Sequence, residues 1–398
     1  MVQPAAAGQL ASQQKRVLLV WLGGGVSQLE TWDPKPDTEF GGPFKAISTT
    51  VPGMQIGELL PYTAQQMHHL SLVRSINTQE EVHFFGAILM HTGRKMAADI
   101  KYPQIGSVCA KMLTPENSPL PGYLHITTAG APRPDGPPGI EEAAFLGPRY
   151  ASVMLPNGRE PYDFVRPEWM SEASDSRRQI LRNLANKRFA RRRRTAETEA
   201  YTESYNQAAQ LKEKRQVFDL TREDPRIRDK YGSHEFGRNC LLARRLLENG
   251  ATFVKVSHFD YDTHFENFDA HIEKLAEFDK SFATLIEDMH QRGLMQSTLV
   301  IVMSEFGRTP IINHKFGRDH WPTAWSVAVG GCGIKPGVII GKTNAKGTAV
   351  ADRQVDAGDL FSTWYTALGL DPKTEFHVND RPVPMVEPKA RPITEILA

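Results

Sequence analysis

An α/β sandwich, with a central and mostly parallel sheet covered by helices on both faces, is what this 398-residue sequence predicts. Three observations point to it. Runs such as Arg16–Leu22 (RVLLVWL) and Thr298–Met303 (TLVIVM) are nearly continuous in apolar residues, as strands buried on both faces must be. Segments of helical periodicity separate these runs, and strands alternating with helices favour parallel pairing through helical crossovers. The first run also passes straight into Gly23-Gly24-Gly25, a tight loop of the kind that follows a parallel strand.

The elements follow in chain order. Arg16–Leu22 and Leu70–Ile76 (LSLVRSI) are expected strands. Residues 83–91 (HFFGAILMH) form a buried helix stopped by Thr92-Gly93, because glycine accepts the left-handed conformation that ends helices. Tyr123–Thr127 is a further strand. Residues 129–165 are rich in Gly and Pro and are expected to be a long surface loop or lid, and the charged stretch 170–230 to be helical. Residues 240–247 make a more apolar helix ending at Asn249-Gly250, and residues 253–259 the next strand. Ile272, Leu275, Phe278, Phe282, Leu285, Ile286 and Met289 then mark one face of an amphipathic helix. Thr298–Met303 and residues 325–329 are the last expected strands. The organisation expected is a flexible segment over residues 1–15 and one domain over 16–398, with 129–230 as a lid or helical insertion.

Composition narrows the function. Apolar residues are 40% and charged residues 23%, enough for a packed core. Lys and Arg number 47 against 46 Asp and Glu, which argues against a dedicated nucleic-acid binder. The longest apolar run has six residues, far short of the ~20 a transmembrane helix needs. Cys109, Cys240 and Cys332 are too far apart for a thiolate zinc motif. Residues 187–194 hold six basic residues in eight, either a phosphate- or lipid-binding patch or a solvated helix face offset by the glutamates that follow.

Six of the thirteen histidines fall between His258 and His320, less than one sixth of the chain. Two stretches there each follow a strand: residues 257–264 (SHFDYDTH), and Ser304-Glu305-Phe306-Gly307-Arg308 with Gly317-Arg318-Asp319-His320. Ligands bind beyond the carboxyl ends of strands in open α/β sheets. Carboxylate plus imidazole is a donor set for zinc and similar ions. Asp260 or Asp262 with His264 and His320 would supply three ligands and leave a fourth position open. The bland alternative is that these groups are helix caps and loop hydrogen bonds.

Four stretches, residues 23–36 (GGGVSQLETWDPKP), Asp262-Thr263-His264, residues 304–310 (SEFGRTP) and residues 317–322 (GRDHWP), resemble a bacterial family abundant in planctomycetes, the 1501-type domain of unknown function. That family is placed in the alkaline-phosphatase/sulfatase superfamily, so the resemblance implies a three-layer alkaline-phosphatase-like sandwich. It also implies a map. The Asp that phosphatases carry after the first strand is replaced by Gly23 or Gly24. The nucleophile position, nine residues before Thr92, holds His83. Asp260, His264 and His320 match the first zinc site, with Asp262 as the acid more typical of the family. Ser304-Glu305 stands at the second site, and Lys255 replaces a magnesium-binding Glu.

The function this implies is a metal-dependent hydrolase of phosphate or sulfate esters with an atypical nucleophile position, acting on a small-molecule or glycan ester. A divalent ion, zinc by its ligands, would sit on Asp260/Asp262, His264 and His320. His83 and Glu305 would bind a second ion or serve as general acid and base. Arg308 or Arg318 would clamp the anion, with Lys255 and Gly24 beside it. Each arginine has an alternative role in a structural ion pair. A helix N-terminus disfavours an imidazolium, so His83 is expected to be neutral. The rival reading is a degenerate, non-catalytic relative that binds an anionic glycan or a protein partner. An exported location, with the leader absent from the sequence, is expected ahead of a cytoplasmic one.

Overall fold

The computed structural model describes residues 15–128, 140–157, 167–190, 196–378 and 380–398. Residues 1–14 of the expected flexible segment, residues 129–139 and 158–166 of the expected lid, and half of the basic run 187–194 lie outside these residues. The strands of the main sheet are β1 (Arg16–Leu22), β2 (Leu70–Ile76), β3 (Tyr123–Thr127), β4 (Val153–Pro156), β5 (Phe253–His258), β6 (Thr298–Met303), β7 (Trp325–Gly331) and β8 (Ile339–Ile340). The longer helices are α1 (His83–Thr92), α2 (Ile105–Leu113), α3 (Glu172–Ala190), α4 (Ala196–Glu213), α5 (Glu235–Glu248), α6 (Asn267–Gln291) and α7 (Ala357–Ala367).

The sheet order is β8-β2-β7-β6-β1-β5-β3-β4. Seven strands are parallel and only β7 runs against its neighbours β2 and β6. Every residue of β1 is buried, and its side chains alternate between two cores. Leu18, Val20 and Leu22 pack with α5 and α6, while Val17, Leu19 and Trp21 pack with α1, α2 and α7. This is the expected sandwich, with a helical layer on each face. At roughly 25 cal/mol per Å² of apolar surface, burial on both faces is what holds the central strands.

Three details differ from expectation. Val153–Pro156 lies within the stretch read as a loop, yet pairs in parallel with β3 as the sheet's edge strand; four residues are too few to show a period. Helix α5 begins at Glu235 rather than at residue 240, because the His234 side chain caps it by accepting the Gly237 N–H. Strand β7 continues to Gly331 and is antiparallel, which no local pattern signalled.

Register then positions the chemistry. Leu22 pairs with His258, and Trp21 with Met303, so β1, β5 and β6 end level with one another. The segments that follow them, at Gly23, Phe259 and Ser304, leave the sheet along one edge. Strand β7 starts from that same edge, with Trp325 opposite Ile76 at the end of β2. Its reversed direction is what returns His320 to the carboxyl ends of its neighbours.

Candidate metal centre

Asp262 is the hub of the site. Its Oδ1 lies 3.1 Å from His264 Nε2 and 3.2 Å from His320 Nε2, and its Oδ2 lies 3.3 Å from His83 Nε2. His264 Nε2 and His320 Nε2 are themselves 3.0 Å apart. The donor atoms of His83, Asp262 and His320 all fall within 4.8 Å of one another. Four separate segments meet here: the loop after β5, the first turn of α1, the loop after β6, and a two-stranded ribbon in which His320 pairs with Arg308.

Each imidazole is pinned through its other nitrogen. His83 Nδ1 is 2.7 Å from Glu305 Oε1, His264 Nδ1 is 2.6 Å from Asp319 Oδ1, and His320 Nδ1 is 2.6 Å from the Glu81 carbonyl. Those partners are acceptors, so each Nδ1 carries a hydrogen and Nε2 is the ring atom left facing Asp262. A carboxylate or carbonyl behind the ring is the usual support of a metal-binding histidine. Lone pairs 3.0 Å apart beside a carboxylate repel unless a cation or a proton lies among them. A tetrahedral zinc ion with bonds of ~2.0–2.1 Å holds its ligand atoms about 3.3 Å apart, close to the separations seen here. His83 Nε2 is moreover buried and, despite its distance from Asp262, makes no hydrogen bond. The residues therefore fit a divalent ion.

The residues behind the cluster are buried and hydrogen-bonded. Glu305 is fully buried, and its Oε1 also accepts the Gly24 N–H at 2.9 Å. Ser304 Oγ accepts the N–H groups of Gly25 and Val26 at 3.0 and 3.2 Å. The Arg308 guanidinium, with no exposed surface, donates to the Gly24 and Gly25 carbonyls and to Asp262 Oδ1. Burial raises the Asp262 carboxyl, but its contacts with His320, His83 and Arg308 outweigh that and hold it far below the ordinary carboxylate range. For His83, burial opposes a proton, yet the contacts with Asp262 and Glu305 prevail and raise its pKa to about 9. The expectation of a neutral His83 is thus corrected: two adjacent carboxylates outweigh the dipole of one helix end.

Other assignments change as well. Asp260 points away and pairs with Lys274 at 2.9 Å, outside the cluster. Its backbone has a φ of 76°, which turns the chain so that Asp262, two residues on, faces inward. Arg318 is fully buried, and all five of its donors are used by Glu30 and the carbonyls of Thr309, Pro310 and Phe40. It has no face for a substrate anion. Lys255 Nζ lies 2.9 Å from His91 Nε2, at the far end of α1 from His83. Arg308 orients Asp262 rather than standing free. Gly24 contributes backbone only, accepting Arg308 and donating to Glu305. Sequence reasoning missed Asp319 and the Glu81 carbonyl; Asp319 lies within the recognised GRDHWP stretch, whereas a carbonyl leaves no sequence signal.

Gly24 carries a prediction. Its φ is 109°, and a Cβ there would stand 2.6 Å from the Asp262 backbone nitrogen. Gly24→Ala should cost about 1–3 kcal/mol in backbone strain and shift Asp262. Urea unfolding and metal content measure the two effects separately; a variant with unchanged stability and unchanged metal content contradicts this geometry.

The sequence matches the family described as "Protein of unknown function (DUF1501)" over residues 14–397. The chain belongs to that family. A comparison with curated proteins finds no match for this DUF1501 chain. Among solved structures it is similar to a Vibrio parahaemolyticus protein in the alkaline phosphatase superfamily, at 11% identity over 100% of this chain and 80% of that one, with a TM-score of 0.41. It is similar to the sulfatase PsFucS1 from Pseudoalteromonas sp., at 14% identity over 93% and 72%, TM-score 0.40. It is also similar to a mutant of TAB5 alkaline phosphatase, at 12% identity over 90% and 99%, TM-score 0.38. Likenesses this distant say nothing of the DUF1501 chain's chemistry, which rests on the residues themselves.

Proposed function

We propose that this chain is a metal-dependent hydrolase of phosphate or sulfate esters, with one ion held by Asp262, His264 and His320. The observation that carries the reading is the convergence of histidine Nε2 atoms on Asp262, each ring fixed from behind through Nδ1. When bound, such an ion polarises an oxyanion ester and lowers the pKa of a water toward ~7. Three protein donors leave a position open for substrate, as catalytic zinc sites do.

The chain's own part is proton handling. His83 stands at the nucleophile position, but an imidazole hydrogen-bonded to a buried carboxylate suits general acid–base work. Glu305 holds the His83 ring through Nδ1, leaving Nε2 to carry a proton toward the departing oxygen. Arg308 keeps Asp262 ionised and turned inward. His83→Ser should lower turnover by about 10²–10⁴-fold, the usual contribution of a positioned acid or base.

The sign of the pH dependence follows. His83 has its pKa raised to about 9, so the protonated acid is present at neutral pH and is lost as pH rises through that value. A neighbouring cation can only lower it. The rate should therefore fall on the alkaline side with a midpoint at or below about 9, and His83→Gln should remove that limb. A pH–rate profile with no alkaline limb, or one unchanged in His83→Gln, counts against His83 as the acid.

The test of the function is elemental analysis of the purified chain, followed by assays on aryl phosphate, phosphodiester and sulfate esters with and without chelator. Chelator-sensitive hydrolysis that disappears in His264→Ala supports the reading. Metal-loaded protein inactive on the whole panel supports instead a non-catalytic binding protein.

A further inference from the structure

Six exposed apolar side chains adjoin the metal cluster, among charged neighbours such as Glu81, Glu266 and Lys315. Val82, Phe84 and Phe85 flank His83, Phe265 follows His264, and Ile311 and Phe316 lie on the loop between Arg308 and His320; all six are exposed, Phe265 by 62% and Phe316 by 65%. Backbone bonds tie the segments that carry them to the cluster on two sides. On one side the Arg318 N–H donates to the Thr263 carbonyl at 2.9 Å, that of Glu266 to Lys315 at 3.1 Å, and that of Asn267 to Phe316 at 3.0 Å. Gly317 allows this approach: a Cβ there would stand 1.9 Å from the His264 carbonyl oxygen. Phe265 and Phe316 thus belong to the same side. On the other side the bond from His320 to the Glu81 carbonyl draws the turn bearing Val82, Phe84 and Phe85 against the cluster.

Single exposed apolar residues need no explanation, but a group of them around a polar, charge-bearing centre does. Binding sites combine an apolar lining with a few convergent polar groups that fix orientation. None of the six side chains carries a hydrogen-bonding tip, so they suit an aliphatic or aromatic surface better than the hydroxyls of a sugar. From this we infer that the organic half of the substrate is an apolar aryl or alkyl group, lodged between the Phe84 side and the Phe265–Phe316 side while its oxyanion faces the ion. The inference rests on the hydrolase reading above.

Zinc-loaded protein is titrated calorimetrically with methylphosphonate and with naphthylmethylphosphonate, and with the matching sulfonates; none of these can be hydrolysed. The naphthyl compound of the preferred anion should bind roughly tenfold tighter, the return on removing about 60 Å² of apolar surface from water. Phe265→Ser combined with Phe316→Ser should shrink that gap to less than about threefold and leave the affinity for the methyl compound unchanged. Equal affinities in the wild type, or a gap that survives the double substitution, overturn the apolar-substrate assignment while the anion site stands. Failure of every compound to bind overturns the hydrolase reading and this inference with it.

Discussion

Asp262→Asn is expected to strip the chain of its ion. Three imidazole nitrogens lie within 3.1–3.3 Å of this one carboxylate, and among the described residues no other acid pairs with all of them. The substitution keeps the shape of the side chain and removes the charge that balances both an incoming cation and Arg308. Loss of a partner one shell out typically costs 10–100-fold in metal affinity, so loss of the central ligand should cost at least ~10³-fold. After zinc loading and gel filtration, the wild type should retain about one ion per chain and the variant less than about a tenth of that. Chelator-sensitive turnover should vanish in parallel. Asp260→Asn is the internal comparison: its carboxylate pairs with Lys274, and its metal content should match the wild type. Full retention of zinc by Asp262→Asn, or loss of it in Asp260→Asn, would mean that the ion sits elsewhere.

Glu30→Ala is expected to be the most destabilising of the simple truncations near the site. Glu30 and Arg318 are both wholly without solvent exposure, 2.9 Å apart. Burial alone would raise the Glu30 carboxyl, but Arg318 outweighs it and the group is held below its ordinary range. Removing the acid leaves an uncompensated guanidinium in the interior, and breaking such pairs costs about 3–5 kcal/mol. The damage should also reach the site, because Arg318 is two residues from His320 and ties Thr309, Pro310 and Phe40 together. Denaturant unfolding measures the first effect and zinc retention the second. A loss of stability under about 1 kcal/mol would show that the carbonyls around Arg318 suffice without Glu30.

Both predictions involve residues that sequence reasoning judged differently. Asp260 and Asp262 are chemically alike and two apart; the resemblance to the first zinc site pointed to Asp260 and the family pattern to Asp262, so the sequence left both open. What separates them is the left-handed backbone at Asp260, which directs one carboxylate to Lys274 and the other to the histidines. Arg308 and Arg318 were equal candidates for holding an anion. Only packing shows that Arg318 spends every donor on the loop itself, while Arg308 turns part of its guanidinium toward Asp262.

The sequence by itself determined the central strands, the helix opening at His83, and the grouping of Asp260 or Asp262 with His264, Glu305 and His320 after strand ends. These are local matters: an apolar run with a sharp boundary or polar residues just past a strand can be read within ten or so positions. Only the tertiary structure decided the rest. The reversal of β7, the edge strand Val153–Pro156 and the level ends of β1, β5 and β6 are pairings between distant segments, and no local pattern encodes them. The charge of His83 was likewise beyond local reading. A helix N-terminus argues for a neutral ring, but Glu305 and Asp262 arrive from 222 and 179 positions away and reverse the sign. Electrostatic energy depends on separation in space rather than along the chain, so the protonation state of this site became defined only when the fold brought the two carboxylates to one imidazole.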